Sequence, residues 1–169
     1  MASFTPPFVG VWGRSGSGKT RLIEQLLPVL RARGLRVGTV KHATHRPALD
    51  VPGKDSHRHG EAGAERVLLL GPGCAILFVH TGGDTELQPW RAQFEGAVDL
   101  VLVEGFRETL QPHVRIDVTA EAGFDLRVEE LPYGHRWVLS RPDAAPEPFG
   151  YPADLVERLA GEIVGAVLP

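Results

Sequence analysis

The chain of 169 residues is 43% hydrophobic and 23% charged, with 20 Gly and 14 Pro dispersed through it, which excludes collagen-like and low-complexity classes and supplies enough chain for one core. Its single cysteine excludes an internal disulfide framework and a Cys-based zinc site, and no run approaches the ~18 apolar residues of a membrane span, so a single soluble, cytoplasmic domain over residues 1–169 is expected, with neither a membrane nor a nucleic-acid partner. The net charge of −3 is uneven: residues 1–60 carry three Lys and seven Arg against Glu24, Asp50 and Asp55, a net of +7, and the remainder carries −10, which points to an anionic ligand for the first third.

In chain order, Phe8–Trp12 is a short apolar run opening onto glycines and suits a buried strand. Lys19–Arg33 places Leu22, Ile23, Leu26, Leu27 and Leu30 on one face before the stop Gly34, which predicts a helix. A kink is expected where the ring of Pro28 removes the bond to the carbonyl of Glu24. Leu35–Val40 reads as a second strand, and Ala43–Ser56 as a polar loop of the length reserved for functional segments. A short helix over His57–Ala64 leads to strands Val67–Leu70 and Ala75–Val79 around the turn Gly71-Pro72-Gly73. Glu86–Glu95 reads as helical. Val98–Val103 is too continuously apolar for an exposed strand and suits the middle of a parallel sheet, with Asp99 a structural acid at its far end. Val114–Val118, Leu126–Val128 and Arg136–Leu139 are further strands, and Ala153–Leu168 closes the chain as an amphipathic helix. Strands alternating with helices predict a three-layer α/β domain.

Gly13-Arg14-Ser15-Gly16-Ser17-Gly18-Lys19-Thr20 matches the phosphate-loop pattern G-x-x-x-x-G-K-[ST] at every fixed position, between an apolar strand and an amphipathic helix. The glycines allow backbone angles that turn successive N–H groups inward as a nest for phosphate oxygens, and the helix beginning near Lys19 adds its positive dipole end. Lys19 is the residue to reach the β- and γ-phosphates, and the Thr20 hydroxyl to ligate Mg2+. The motif makes the fold a P-loop NTPase, a mostly parallel central sheet flanked by helices, and is silent about the base. A second acid belongs on the metal side, and Glu104, closing Leu100-Val101-Leu102-Val103, is the leading candidate. In the long loop Asp55, between Lys54 and Ser56, is the first choice to orient a water or a metal-bound water, and Asp50 the second.

Among 18 cations only Lys19, Lys41 and Lys54 are lysines, all in the basic third, which marks them as places that require a compact ammonium. His42, His45, His57 and His59 lack the i, i+4 spacing of a helical metal pair and read as polar or phosphate-contacting; His80, His113 and His135 show no partner pattern. Arg14, inside the loop, reads as facing solvent, with a reach across a dimer interface as its alternative.

The ordered series formed by the phosphate loop, Val40-Lys41-His42, Pro52-Gly53-Lys54-Asp55-Ser56, Arg58, Ala62-Gly63-Ala64 and Val103-Glu104-Gly105-Phe106 resembles the molybdopterin-guanine dinucleotide biosynthesis protein B (MobB-type) family of small P-loop GTP-binding proteins, over about residues 8–118. The resemblance implies a GTP-binding accessory protein in molybdenum-cofactor maturation, beside the guanylyltransferase that joins GMP to molybdopterin, with at most a slow Mg2+-dependent GTPase activity and a dimeric state. Molybdopterin is a further candidate ligand. The resemblance carries over Gly13–Thr20 for the phosphates, Thr20 and Glu104 for the metal, and Lys54, Asp55 and Ser56 as the family segment; the expected cofactor contacts are then Gly13–Thr20, Lys54 and Ser56, the expected metal residues Thr20, Glu104 and Asp55, and the expected catalytic pair Lys19 and Asp55. Two features depart from the pattern. Arg141 stands after Trp137-Val138-Leu139-Ser140 where the family would have an acid, and no Asn/Thr-Lys-x-Asp guanine motif exists. A P-loop small-molecule kinase and a metallochaperone GTPase remain the alternatives.

Overall fold

The computed structural model describes residues 5–43, 50–81, 86–106, 114–121, 123–131, 134–142 and 149–168. In chain order its elements are β1 (Phe8–Trp12), α1 (Lys19–Ala32), β2 (Val37–Lys41), α2 (Asp55–Glu61), β3 (Arg66–Gly71), β4 (Cys74–Val79), a 3-10 helix (Gln88–Phe94), β5 (Leu100–Glu104), β6 (Val114–Glu121), β7 (Asp125–Leu131), β8 (Gly134–Pro142) and α3 (Ala153–Val167). They form two compact units: Met1–His42 with Leu87–Pro169, and Ala43–Glu86.

The first unit is built on a six-stranded sheet in the order β2-β5-β1-β6-β8-β7. Every neighbouring pair is parallel except β7 with β8, which is antiparallel at the edge. The continuous apolar run of β5 has its cause here, because alternate residues serve two cores. Leu100 and Leu102 join Val9, Val11, Ile116, Trp137 and Leu139 against Leu22, Leu26 and Leu30 of α1 and Val156, Leu159 and Ile163 of α3. Val101 and Val103 join Phe8, Leu87 and Phe106 on the opposite face, where Phe94 of the 3-10 helix packs. α1 runs on through Pro28 to Ala32, with Leu26 and Leu30 buried on either side of it.

The expected strands β6, β7 and β8 are all longer in the structure, extending past their apolar centres to Glu121, Leu131 and Pro142. Charged pairs accompany these extensions. Arg127 pairs with Glu121 at 2.7 Å and Arg136 with Glu129 at 2.8 Å. The helix expected over Glu86–Glu95 is a 3-10 helix, entered through Pro89 and a bond from the Trp90 N–H to the Leu87 carbonyl. Asp99 is structural, as expected. It accepts from the Arg36 N–H at 2.8 Å and from its Nη2 at 2.7 Å, and these bonds hold its carboxyl below the usual range.

In the second unit β3 and β4 form a two-stranded antiparallel hairpin closed by Pro72-Gly73. Gly73 has φ 70°, as the second central position of a Pro-Gly turn requires. Leu68, Leu69, Leu70, Ile76 and Leu77 of this hairpin are exposed, so both of its faces present aliphatic side chains. No described helix is long and apolar enough to cross a membrane.

Leu26 is wholly buried between α1 and the sheet. Leu26→Ala should therefore destabilise the fold by about 2–5 kcal/mol, read from urea unfolding; a loss under ~1 kcal/mol would contradict its place in the core.

Candidate phosphate-binding site

The loop between β1 and α1 is shaped by what lies behind it. Gly18, the residue capping α1, has φ 92°, and a Cβ there would stand 2.5 Å from Phe149 Cζ and 2.8 Å from the Tyr151 hydroxyl. A Cβ on Gly13 would stand 2.7 Å from the Val118 carbonyl oxygen of β6. Both positions thus exclude any larger residue by contact, and Gly18 also by conformation. Within the loop the Ser17 N–H bonds to the Arg14 carbonyl, and the Ser17 hydroxyl is buried without a hydrogen-bond partner.

Two groups from the end of the chain fasten the loop from outside. Arg141, on β8 and 8% exposed, donates from Nη2 to the Gly16 carbonyl at 2.9 Å and lies over the Phe149 ring. The Tyr151 hydroxyl donates to the Ser17 carbonyl at 3.4 Å. In a trans peptide a carbonyl and the next N–H point opposite ways, so holding the Ser17 carbonyl turns the Gly18 N–H away from Tyr151. Gln25 of α1 bonds both the N–H and the carbonyl of Tyr151, and Arg21 bonds the Phe149 carbonyl, so α1 holds the segment that holds the loop. The sequence had marked Arg141 only as a departure from a family pattern. Its partner Gly16 is 125 residues away in the chain, and no local signal announces that contact.

Lys19 donates to the Gly13 carbonyl at 3.1 Å and the Arg14 carbonyl at 2.7 Å. Burial pushes its ammonium below the usual lysine range; Glu104 opposes that shift and Lys41 adds to it. The next residue, Thr20, donates from Oγ1 to both carboxylate oxygens of Glu104, at 3.0 and 3.1 Å. Strand pairing brings this about: Val11 of β1 and Lys41 of β2 are both register partners of Glu104 on β5. The Lys41 ammonium stands 3.5 Å from the same carboxylate. The His42 N–H caps the Glu104 carbonyl at 2.8 Å, and the His42 ring stacks on Phe106, whose φ of 55° is the one positive value at a described non-glycine residue. A hydroxyl and a carboxylate side by side are oxygen donors of the kind that a hard divalent cation takes.

The remaining candidates lie in the second unit. Lys54 caps α2, and Asp55 opens it with its side chain 92% exposed and Arg58 3.9 Å away. Ser56 donates to Asp50 at 2.9 Å, so Asp50, in the loop, is more constrained than Asp55, which the structure places on α2 rather than in the loop. Of the histidines, His57 and His59 lie on α2, His80 packs against Gly60, and His135 stacks on Trp137. His45 and His113 fall outside the described residues. Among the described residues no group of three or more His, Cys, Asp or Glu is arranged to hold a metal.

Residues 8–128 match the family described as Molybdopterin guanine dinucleotide synthesis protein B, MobB. The chain is similar to the molybdopterin-guanine dinucleotide biosynthesis adapter protein of Haemophilus influenzae, 41% identical over 109 residues, covering 64% of this chain and 61% of that protein. It is also similar to the protein of the same description in Escherichia coli, 37% identical over 107 residues, covering 60% of this chain and 59% of that one. The match thus spans about three-fifths of each relative's length. Among solved structures, one described as molybdopterin-guanine biosynthesis protein B (mobB) superposes with a TM-score of 0.63 at 26% identity, over 94% of this chain and 98% of that one.

Tyr151 is 3% exposed, and burial pushes its phenol up to about 12, with Arg141 opposing. The unfolded chain releases that proton near ~10, so the native state binds more protons between the two values and stability should fall as pH rises through that window. Tyr151→Phe should shallow the decline, measured by denaturant unfolding at about pH 9 and about pH 11; equal slopes in parent and variant would refute it.

Proposed function

The chain belongs to the molybdopterin guanine dinucleotide synthesis protein B (MobB) family, and on that premise we propose that it is a GTP-binding adapter in the formation of molybdopterin-guanine dinucleotide, working beside the guanylyltransferase that joins GMP to molybdopterin. The observation that carries this reading is the grouping of Lys19, Thr20 and Glu104 at the mouth of a glycine loop. Phosphate oxygens suit the loop N–H groups and the first turn of α1, and the partnerless Ser17 hydroxyl is a further polar atom there. Thr20 and Glu104 would hold Mg2+, which when bound would neutralise phosphate charge. The product named in the family description supports a guanine base.

Turnover by the isolated protein is slow in this reading. Lys19, Thr20 and Glu104 supply electrostatic stabilisation, while Asp55, the first choice to orient a water with Asp50 second, stands 92% exposed on α2. Stabilisation without a well-positioned base leaves most of a hydrolytic barrier in place. The adapter works in the cytoplasm, which supplies GTP, and as a homodimer. The exposed Leu68, Leu69, Leu70, Ile76 and Leu77 support the dimer, since a lone two-stranded hairpin is marginally stable and aliphatic faces of this kind are usually covered.

Equilibrium titration with GTP and Mg2+ tests the nucleotide reading. Lys19→Ala should abolish binding with the fold intact, Glu104→Gln should weaken the Mg2+ dependence, and the purified parent should hydrolyse GTP well below the ordinary enzyme range of ~1–10³ s⁻¹. Binding by the Lys19 variant as tight as the parent's, or turnover within that range, would sink the adapter reading. Light scattering tests the dimer: the parent should have twice the chain mass, and Leu70→Asp, on a side chain 70% exposed, should shift it toward the monomer. A monomeric parent refutes the dimer.

A further inference from the structure

Lys41 has no part in the phosphate-loop pattern, yet it is one of three lysines among 18 cations and stands at the loop's mouth. Strand register places it there. Lys41 ends β2 and is the register partner of Glu104 on β5, whose other neighbour in the sheet is β1, the strand that leads into the loop. The Glu104 carboxylate is thus shared between the Thr20 hydroxyl and the Lys41 ammonium, 3.5 Å from Oε1. Lys41 is the more exposed and less tethered of the two site lysines. Its side chain is 63% exposed, whereas Lys19 is bonded to two loop carbonyls.

Two ammonium groups and one carboxylate leave the described mouth of the loop with a net positive charge, on a flexible stem at one side and a fixed stem at the other. Thr20 and Glu104 would hold the cation that neutralises the terminal phosphates of a triphosphate, so that pair would lie beside that end of the ligand. Lys41 lies on the side of Glu104 away from β1, the strand that leads into the loop. We propose that Lys41 is a second phosphate-binding lysine that contacts the terminal phosphate alone, so that the site distinguishes a nucleoside triphosphate from a diphosphate. Lys19, inside the loop, reaches the β-phosphate that both ligands share as well as the γ-phosphate, so its loss weakens both. The inference rests on the nucleotide reading above and deepens it, by assigning the γ-phosphate its own ammonium.

Titration of the full chain with GDP and with a non-hydrolysable GTP analogue, both with Mg2+, separates the two claims. Lys41→Met should lose about tenfold in affinity for the triphosphate, the size of one charge-assisted contact at a partly exposed group, and less than about twofold for GDP. Lys41→Arg, which keeps the charge, should recover part of the loss, and neither variant should shift the melting temperature, since the side chain covers no core. Equal losses for both nucleotides, no loss for either, or tighter triphosphate binding on releasing Glu104 would each overturn the role. A parent that binds neither nucleotide would overturn the nucleotide reading and this inference with it; a parent that binds both while the Lys41→Met variant fails to discriminate overturns this inference alone.

Discussion

Parallel pairing of β5 with both β1 and β2 sets the geometry of everything at the loop. Because β5 lies between them, its last residue, Glu104, comes level with Val11 on one side and Lys41 on the other. The carboxylate then needs no loop of its own to reach Thr20, which stands at the start of the helix that follows β1. That placement holds only while Leu100–Val103 stay buried on both faces, so the two hydrophobic cores and the polar site depend on one strand. A slip of one residue in β5 would exchange the two core faces and move Glu104 out of line with Val11 and Lys41.

The loop is braced as well as placed. Its floor is the Phe149–Tyr151 segment, fixed to α1 through Gln25 and Arg21, and its outer carbonyls are held by Arg141 and Tyr151. A loop that must present N–H groups in one direction gains from having its carbonyls engaged in the other, because less reorganisation then remains for the moment of binding. The arrangement also gives the buried Arg141 its partners. Arg141 turns its charge onto a backbone carbonyl and an aromatic face.

Much of this was legible in the sequence, for a physical reason that differs by element. Gly13–Thr20, the apolar run before Glu104 and the faces of α1 and α3 are local patterns whose period or spacing reports their structure directly. Thr20 and Glu104, 84 residues apart, were paired because a strand-end acid beside a phosphate loop is a constraint of the fold as a whole. The brace was not legible: Arg141, Phe149 and Tyr151 carry no spacing that points at Gly16 or Ser17, and their contacts arise only when α1 and β8 have packed. Strand lengths were underestimated for a related reason, since cross-strand ion pairs such as Arg136–Glu129 accompany pairing beyond the apolar stretch that periodicity detects. The 3-10 helix shows a limit of another kind, in which the sequence reports a helical stretch without distinguishing the α from the tighter winding.

The scarcity of lysine has a chemical corollary. With three lysine side chains in 169 residues, and two of them flanking one carboxylate, reagents selective for primary amines have few other places to react on this protein. The ammonium of Lys19, held below its usual range by burial, keeps a larger share of nucleophilic free base near neutrality than an ordinary lysine does, and Lys41 offers exposure instead. Acylation, carbamylation or amine coupling to a solid support would therefore reach the mouth of the loop along with Lys54 and the α-amine, whereas attachment through the exposed Cys74 at the hairpin's turn would leave all three lysines untouched.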